Sequence, residues 1–172
     1  MLPGGHTPTE SPGGSQPNIE EIPEHLRPVV QSYWEIPIPT PGPNHAIRLQ
    51  IPKIGKDVPV VEGDGPEQLK KGVGHAIYSV NPGEVGNVVL SAHNDIQGEI
   101  FRDLDQLEEG DLVILFSERK SYTYVVEDVL IVEPHQVEFL ESTDESIATL
   151  ISCYPYRIDN QRIIVIAHLI EG

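Results

Sequence analysis

Among the 172 residues there is one cysteine, one methionine and one tryptophan. A single cysteine excludes an internal disulfide and any multi-cysteine zinc centre. Positive charge is scarce: 11 Lys and Arg stand against 27 Asp and Glu, a formal charge of -16. That balance argues against binding a nucleic acid or other polyanion, because gripping phosphates takes a basic footprint. The acidic excess favours solubility and says little about fold. No apolar run reaches the ~18 residues needed to span a bilayer. Met1-Leu2-Pro3-Gly4-Gly5 has neither a basic n-region nor an apolar h-region, so no signal peptide is expected there. Two placements stay open on these totals: a cytoplasmic protein, or one whose targeting segment lies outside this sequence. The seven histidines are dispersed, and no pair has metal-motif spacing. Repeats and long amphipathic helices are also missing.

The residues that are present divide at about position 45. Most of the sixteen prolines lie between Pro3 and Pro43, among Gly, Ser, Thr and Glu. Such a segment buries too little apolar surface to offset its ordering entropy, so residues 1–45 read as a linker or tail. Within it Leu26, Val29, Val30 and Tyr33 have helix-like spacing, which suggests a short docking helix over residues 23–34 that ends on Trp34. Residues 46–172 read as the folded domain.

From Ala46 onward, short apolar runs alternate with Gly, Pro, Asn and Asp. Ile47-Arg48-Leu49-Gln50-Ile51 alternates as a half-buried strand. Val58-Pro59-Val60-Val61 reads as a second strand, demoted to an edge or end by its proline. Pro66 suits the first turn of a brief helix. Gly72-Val73-Gly74-His75 and Asn81-Pro82-Gly83 read as turns. Further strands are expected at Asn87–Ala92, a buried Leu112–Phe116, a bulged Tyr122–Val132, Ile147–Ser152 and Arg162–Ile170, with a short helix over Ile100–Leu107. Many short strands with turn-rich links point to an antiparallel barrel or sandwich.

A lone cysteine is more often a small buried hydrophobe than a reactive group. The setting of Cys153 argues otherwise. It follows the apolar Leu150-Ile151-Ser152 and precedes Tyr154-Pro155-Tyr156, where the proline interrupts sheet pairing. His93 likewise ends the apolar run Val88-Val89-Leu90, so both residues are expected on one rim of a barrel. Arg162 opens the last strand, across a short loop from Cys153. A cation and a histidine beside a thiol favour the thiolate and support attack on a carbonyl. The cation also suits the oxyanion of a tetrahedral intermediate. Arg157, four residues after the cysteine, is a rival for that role.

The resemblance to a known family rests on ordered motifs. Thr149-Leu150-Ile151-Ser152-Cys153, with Arg162 nine residues on, resembles the sortase motif Thr-Leu-x-Thr-Cys and its downstream Arg. Gly72-Val73-Gly74-His75 and the stretch from Pro82 to His93 resemble the sortase segment leading to the catalytic histidine. Phe101-Arg102-Asp103-Leu104 and Gly110-Asp111 resemble the family's Phe-x-x-Leu and Gly-Asp, which come after that histidine. The likeness covers about residues 46–170.

The resemblance implies a mostly β fold: a closed eight-stranded barrel with a few short helices, outside the cytoplasmic membrane. It implies Cys153 as nucleophile and His93 as acid and base. Arg162 would be the group that holds the substrate carbonyl or oxyanion. Their flanks, Ala92, Asn94, Ser152 and Tyr154, are candidates for contact with substrate. The substrate implied is the sorting-signal peptide of a surface protein. The acceptor implied is an amine of a peptidoglycan precursor or a pilin lysine. Membrane anchoring would come from a segment outside this sequence. The Ala92-His93-Asn94-Asp95 context departs from the Gly-His-Arg common in the family; Asp95 would cap the next turn or hold the His93 ring. No Asp-Pro-Trp-type lid precedes the barrel, which points to a housekeeping or class D/E-like member, with Tyr33-Trp34 left to cover the groove.

No cofactor is expected. Calcium is the one metal considered, on Asp103, Asp105, Glu108, Glu109 and Asp111, although a solvated helix face does not converge several oxygens on an ion. His75 reads as a turn-supporting or groove residue, and His168 as structural. The competing functions are a non-catalytic barrel acting as a surface scaffold and a hydrolytic cysteine peptidase.

Overall fold

The computed structural model describes residues 23–28, 37–94 and 98–172. Tyr33, Trp34, Asp95 and the second half of the expected docking helix lie outside them. Of that helix, a 3₁₀ turn, Glu24–Leu26, and the α-helical Arg27 and Pro28 after it are described.

Eight strands close into one barrel: β1 (Arg48–Ile51), β2 (Lys56–Glu62), β3 (Val73–His75), β4 (Gly86–Ser91), β5 (Leu112–Phe116), β6 (Ser121–Val132), β7 (Ser146–Tyr154) and β8 (Gln161–Glu171). Their order around the barrel is β1-β2-β3-β4-β7-β8-β6-β5, with β5 returning to β1. Closure removes sheet edges. A short α-helical turn, α1 (Pro66–Leu69), has Pro66 in its first turn, where a missing N–H costs nothing.

Alternation decides most of the strands. Leu49 and Ile51 of β1, Val113 and Leu115 of β5, and Tyr124 and Val126 of β6 enter a single core, while their neighbours stand toward solvent. The expected bulges in β6 occur at Thr123/Tyr124 and Val126/Asp128. β5 alternates; it is not buried throughout.

Four other expectations change. The barrel is mixed: β2 pairs β3 in parallel, and β4 pairs β7 in parallel. Gly72-Val73-Gly74-His75 is mostly strand β3, not a turn. Its glycines serve close approach: a Cβ on Gly74 would lie 2.5 Å from the Gly63 carbonyl oxygen, and one on Gly72 would lie 2.6 Å from that of Pro59. Pro59 sits inside a closed sheet. Val60 N–H donates to Ile47 O at 3.0 Å, which turns the Pro59 nitrogen away from β1, and pairing with β3 begins only at Val60. The helix expected over residues 100–107 shrinks to a 3₁₀ turn, Leu104–Gln106.

β4 is buried along its whole length and β7 along nearly all of it. Their inner faces join the core through Val88, Leu90, Ala148 and Leu150. Their outer faces are roofed by residues 133–145: Phe139 and Leu140 pack on Ile151, Ile164 and Val132. A buried polar chain pins this roof. Thr149 Oγ1 donates to Asn87 Oδ1 at 2.7 Å, and Asn87 Nδ2 donates to the carbonyls of Phe139 (2.9 Å) and Glu141 (3.1 Å). Asn87→Ala leaves a buried hydroxyl and two carbonyls without this partner. It is expected to cost about 1–3 kcal/mol of stability, read from denaturant midpoints at unchanged slope.

His75 belongs to the interior. Its Nδ1 lies 2.7 Å from Glu62 Oε2 and its Nε2 lies 2.9 Å from the Val80 carbonyl oxygen. A carbonyl only accepts, so Nε2 is the nitrogen that donates to Val80 O. His168 pairs Glu127 across the outer sheet at 3.0 Å.

Candidate active site

The site is built by three strands. On the antiparallel β7–β8 ladder, Cys153 is directly opposite Arg162, and cross-strand partners project from the same face. On the parallel β4–β7 ladder, Ser91 is level with Ile151. Ser152 Oγ donates to Ala92 O at 2.8 Å, so the two chains stay together beyond the ladder. Two residues on, the same register sets His93 beside Cys153. Cys153 therefore lies between a histidine on one neighbouring strand end and an arginine on the other.

Period two then decides which face this is. Leu150 belongs to the inner core, whereas Ile151 and Ile164 belong to the roofed outer cluster. Cys153 has the parity of Ile151, and Arg162 that of Ile164. The constellation thus opens on the outer face of β4-β7-β8, beyond the end of the roof. All three side chains are nearly enclosed, with residue exposures of 1% for Cys153, 6% for His93 and 6% for Arg162.

The guanidinium of Arg162 is steered by the loop that joins β7 to β8. Its Nη1 donates to the carbonyls of Gln161 at 2.9 Å and Asp159 at 3.5 Å. Arg157, the rival cation, is exposed at the tip of that loop with its guanidinium 5.2 Å from the Tyr156 ring. Beyond His93 the chain folds back, and Phe101 N–H donates to His93 O at 2.9 Å.

The four flanking residues expected to contact substrate also have partners within the fold. Ala92 and Ser152 are fully buried, share the parity of the inner core and bond to each other. Tyr154 is half-buried and packs against the inner core. Asn94 is buried, and its Nδ2 donates to Cys153 O at 2.8 Å and to Asp159 Oδ1 at 3.1 Å. Asn94 thus ties the segment after His93 to the backbone of Cys153.

Residues 98–102 and the β7–β8 loop meet at a second place that sequence reasoning missed. Tyr156 donates its hydroxyl hydrogen to Glu99 Oε2, and Arg102 Nη1 bonds Glu99 Oε1 at 3.2 Å. The tyrosine hydroxyl, ahead of the neighbouring arginines, holds the Glu99 carboxyl below the usual carboxylate range. Tyr156 was visible in sequence only as part of the Tyr-Pro-Tyr break; nothing marked Glu99.

The acidic cluster considered for calcium is partly committed to protein contacts. Asp111 Oδ2 accepts from Glu108 N–H at 2.8 Å, and Lys53 lies between Asp111 (3.4 Å) and Glu108 (3.7 Å).

Comparison with known proteins bears on the family of the whole barrel. The family model described as Sortase domain matches residues 49–170. Sortase D of Bacillus subtilis (strain 168) is 36% identical over 109 residues, 63% of this chain and 54% of the relative. Sortase A of Bacillus anthracis is 28% identical over 124 residues, 72% of this chain and 59% of the relative. The chain thus spans little more than half the length of these curated relatives. Among solved structures, sortase C1 from Streptococcus suis superposes with a TM-score of 0.68 at 31% identity, covering 75% of each chain. Sortase C-1 from Streptococcus pneumoniae gives 0.73 at 26% identity, over 83% of this chain and 77% of that one. With the family model spanning the whole barrel and solved sortases sharing its fold, the chain belongs to the sortase family.

Proposed function

We propose that this domain is a cysteine transpeptidase that cleaves the sorting signal of a surface protein and passes its acyl group to an amine. The observation that carries the reading is Cys153 set between Arg162, its cross-strand partner, and His93, two residues past the end of the adjoining β4. The thiolate is the reactive form of a cysteine. Its sulfur attacks the scissile carbonyl, an S–C bond forms, and Arg162 holds the resulting oxyanion. Collapse breaks the C–N bond, with protonated His93 giving its proton to the leaving amine. A thioester on Cys153 remains. Neutral His93 then takes a proton from the incoming amine as it attacks, and the thiolate leaves.

The acceptor in this reading is an amine of a peptidoglycan precursor or a pilin lysine, and the working place is the extracellular face of the bacterial membrane. Among the described residues no helix is long and apolar enough to cross a membrane. The relation to Sortase D supports a class D-like assignment.

Product analysis tests the reading. A cognate sorting peptide is incubated with and without an added primary amine, and the products are resolved by mass. Amide product rising with amine concentration is expected. Water capture alone at every amine concentration would make the enzyme a hydrolytic peptidase. A Cys153 that resists thiol reagents in native protein yet reacts after denaturation would indicate an inert scaffold.

A further inference from the structure

The segment after His93 and the loop between β7 and β8 are fastened to each other on both sides of the nucleophile. One fastening is Asn94, bonded to the Cys153 carbonyl and the Asp159 carboxylate. The other is Tyr156. Its hydroxyl bonds Glu99, while the Arg102 and Arg157 guanidiniums lie 4.4 Å and 5.2 Å from its ring centroid. Glu99 is gripped at each oxygen, by Tyr156 at one and Arg102 at the other. Backbone conformation marks the same two segments. The non-glycine residues at positive φ among the described residues are Glu99 (51°), Arg157 (67°) and Asp159 (59°). Non-glycine residues adopt that region uncommonly, Asp more readily than Glu or Arg.

The loop is also what steers Arg162. Its carbonyls at Asp159 and Gln161 receive the guanidinium. A shift of this loop therefore moves the cation relative to Cys153, and a shift of residues 98–102 bears on His93 through the Phe101 N–H bond. Misplacement by about 1 Å is enough to cost on the order of 10²-fold in rate.

We infer that Tyr156 and Glu99 form a latch that fixes the β7–β8 loop against the segment following His93, and so holds Arg162 and His93 at their working separation around Cys153. Both are positioning residues, acting through Arg162 and His93. The catalytic half of this inference rests on the proposed transpeptidase reading; the latch itself does not.

A double-mutant cycle over Tyr156→Phe and Glu99→Ala tests it, with Glu99→Gln as the conservative variant whose carbonyl still accepts the phenol hydrogen. Three quantities are read for each protein: the rate at which a thiol reagent labels native Cys153, kcat and KM on a sorting peptide, and the thermal midpoint. Tyr156→Phe and Glu99→Ala are each expected to lose about tenfold in kcat with KM moved less than about twofold, and to label several-fold faster as the enclosed thiol opens. The double variant should be no worse than either single, since one bond is being removed twice. Glu99→Gln should recover most of the loss, with thermal midpoints within a few degrees of the parent. Effects that multiply in the double variant would overturn the latch, as would a Tyr156→Phe protein that labels and turns over like the parent. If no peptide is turned over yet the labelling cycle is non-additive, the latch stands and the transpeptidase reading falls. If labelling is additive and the parent is active, the latch falls and the transpeptidase reading stands.

Discussion

Cys153→Ala is expected to abolish turnover of a cognate sorting peptide, by on the order of 10⁴-fold or more in kcat, with the thermal midpoint close to that of the parent protein. The size follows from chemistry. A methyl group cannot attack a carbonyl or carry a thioester, and no other cysteine exists in the chain to substitute. The small structural effect follows from the position. Cys153 lies at the end of β7 on the outer face, outside the inner core made by Leu150, Ile163 and Val165. Losing one sulfur there removes little buried apolar contact. The decisive measurement is single-turnover mass spectrometry. The parent should accumulate an acyl adduct on Cys153, and the alanine protein none. Near-normal turnover of Cys153→Ala would remove the whole scheme, and with it the roles given to His93 and Arg162.

Arg162→Lys is expected to lose about 10²–10³-fold in kcat with KM nearly unchanged, because an interaction made mainly with the developing oxyanion is lost. Lysine keeps the charge but lacks the planar fork. In this fold the fork has two duties. Arg162 Nη1 is bonded to the carbonyls of Gln161 and Asp159, and the side chain is directly across the ladder from the cysteine. A lysine ammonium that satisfied those carbonyls would sit differently relative to the substrate oxygen. Measurement of kcat and KM separately is the check. An Arg162→Lys protein with parental kcat would mean that a point charge suffices there. A loss confined to KM would mean that Arg162 holds the substrate equally in ground and transition states. Arg157→Lys serves as the comparison. Its guanidinium is exposed and placed over Tyr156, so a smaller effect is expected.

These experiments bear on three paired strands whose candidate catalytic residues include one, His93, that is distant in sequence from the other two. His93 and Cys153 are joined by the parallel β4–β7 ladder, and Cys153 and Arg162 by the antiparallel β7–β8 ladder. Parallel neighbours bring together the ends where both chains leave the sheet in the same direction. Antiparallel neighbours bring the end of one strand to the start of the next. One parallel and one antiparallel pairing around β7 is therefore what allows two strand ends and a strand start to meet at a single point.

Much of this was legible in the sequence. Alternating Leu49 and Ile51, the long bulged run into Val132 and the Ile- and Val-rich last strand marked strands because period two is a local property of the chain. The break at Pro155 and the apolar runs that stop at His93 and Cys153 placed both residues at strand ends for the same reason. The motif around Cys153, with Arg162 nine residues on, pointed to the family. Other features were decided only by tertiary structure. The glycines of Gly72-Val73-Gly74-His75 look like a turn until β2 lies alongside, when they become the space two backbones need to approach. Tyr156 and Glu99 are 57 positions apart, and no local pattern relates them. The face on which Cys153 opens was hidden for a sharper reason. Alternation places Ser152 and Cys153 on opposite sides of β7, but β4 and β7 are covered on both faces and carry no polar side to mark the outside. Only the roof formed by residues 133–145, with Phe139 and Leu140 over Ile151, distinguishes outer from inner. The sequence by itself determined which residues stand at the strand ends; the packing of a distant segment decided which face of the sheet is the outer one, and so the side on which Cys153 and Arg162 lie.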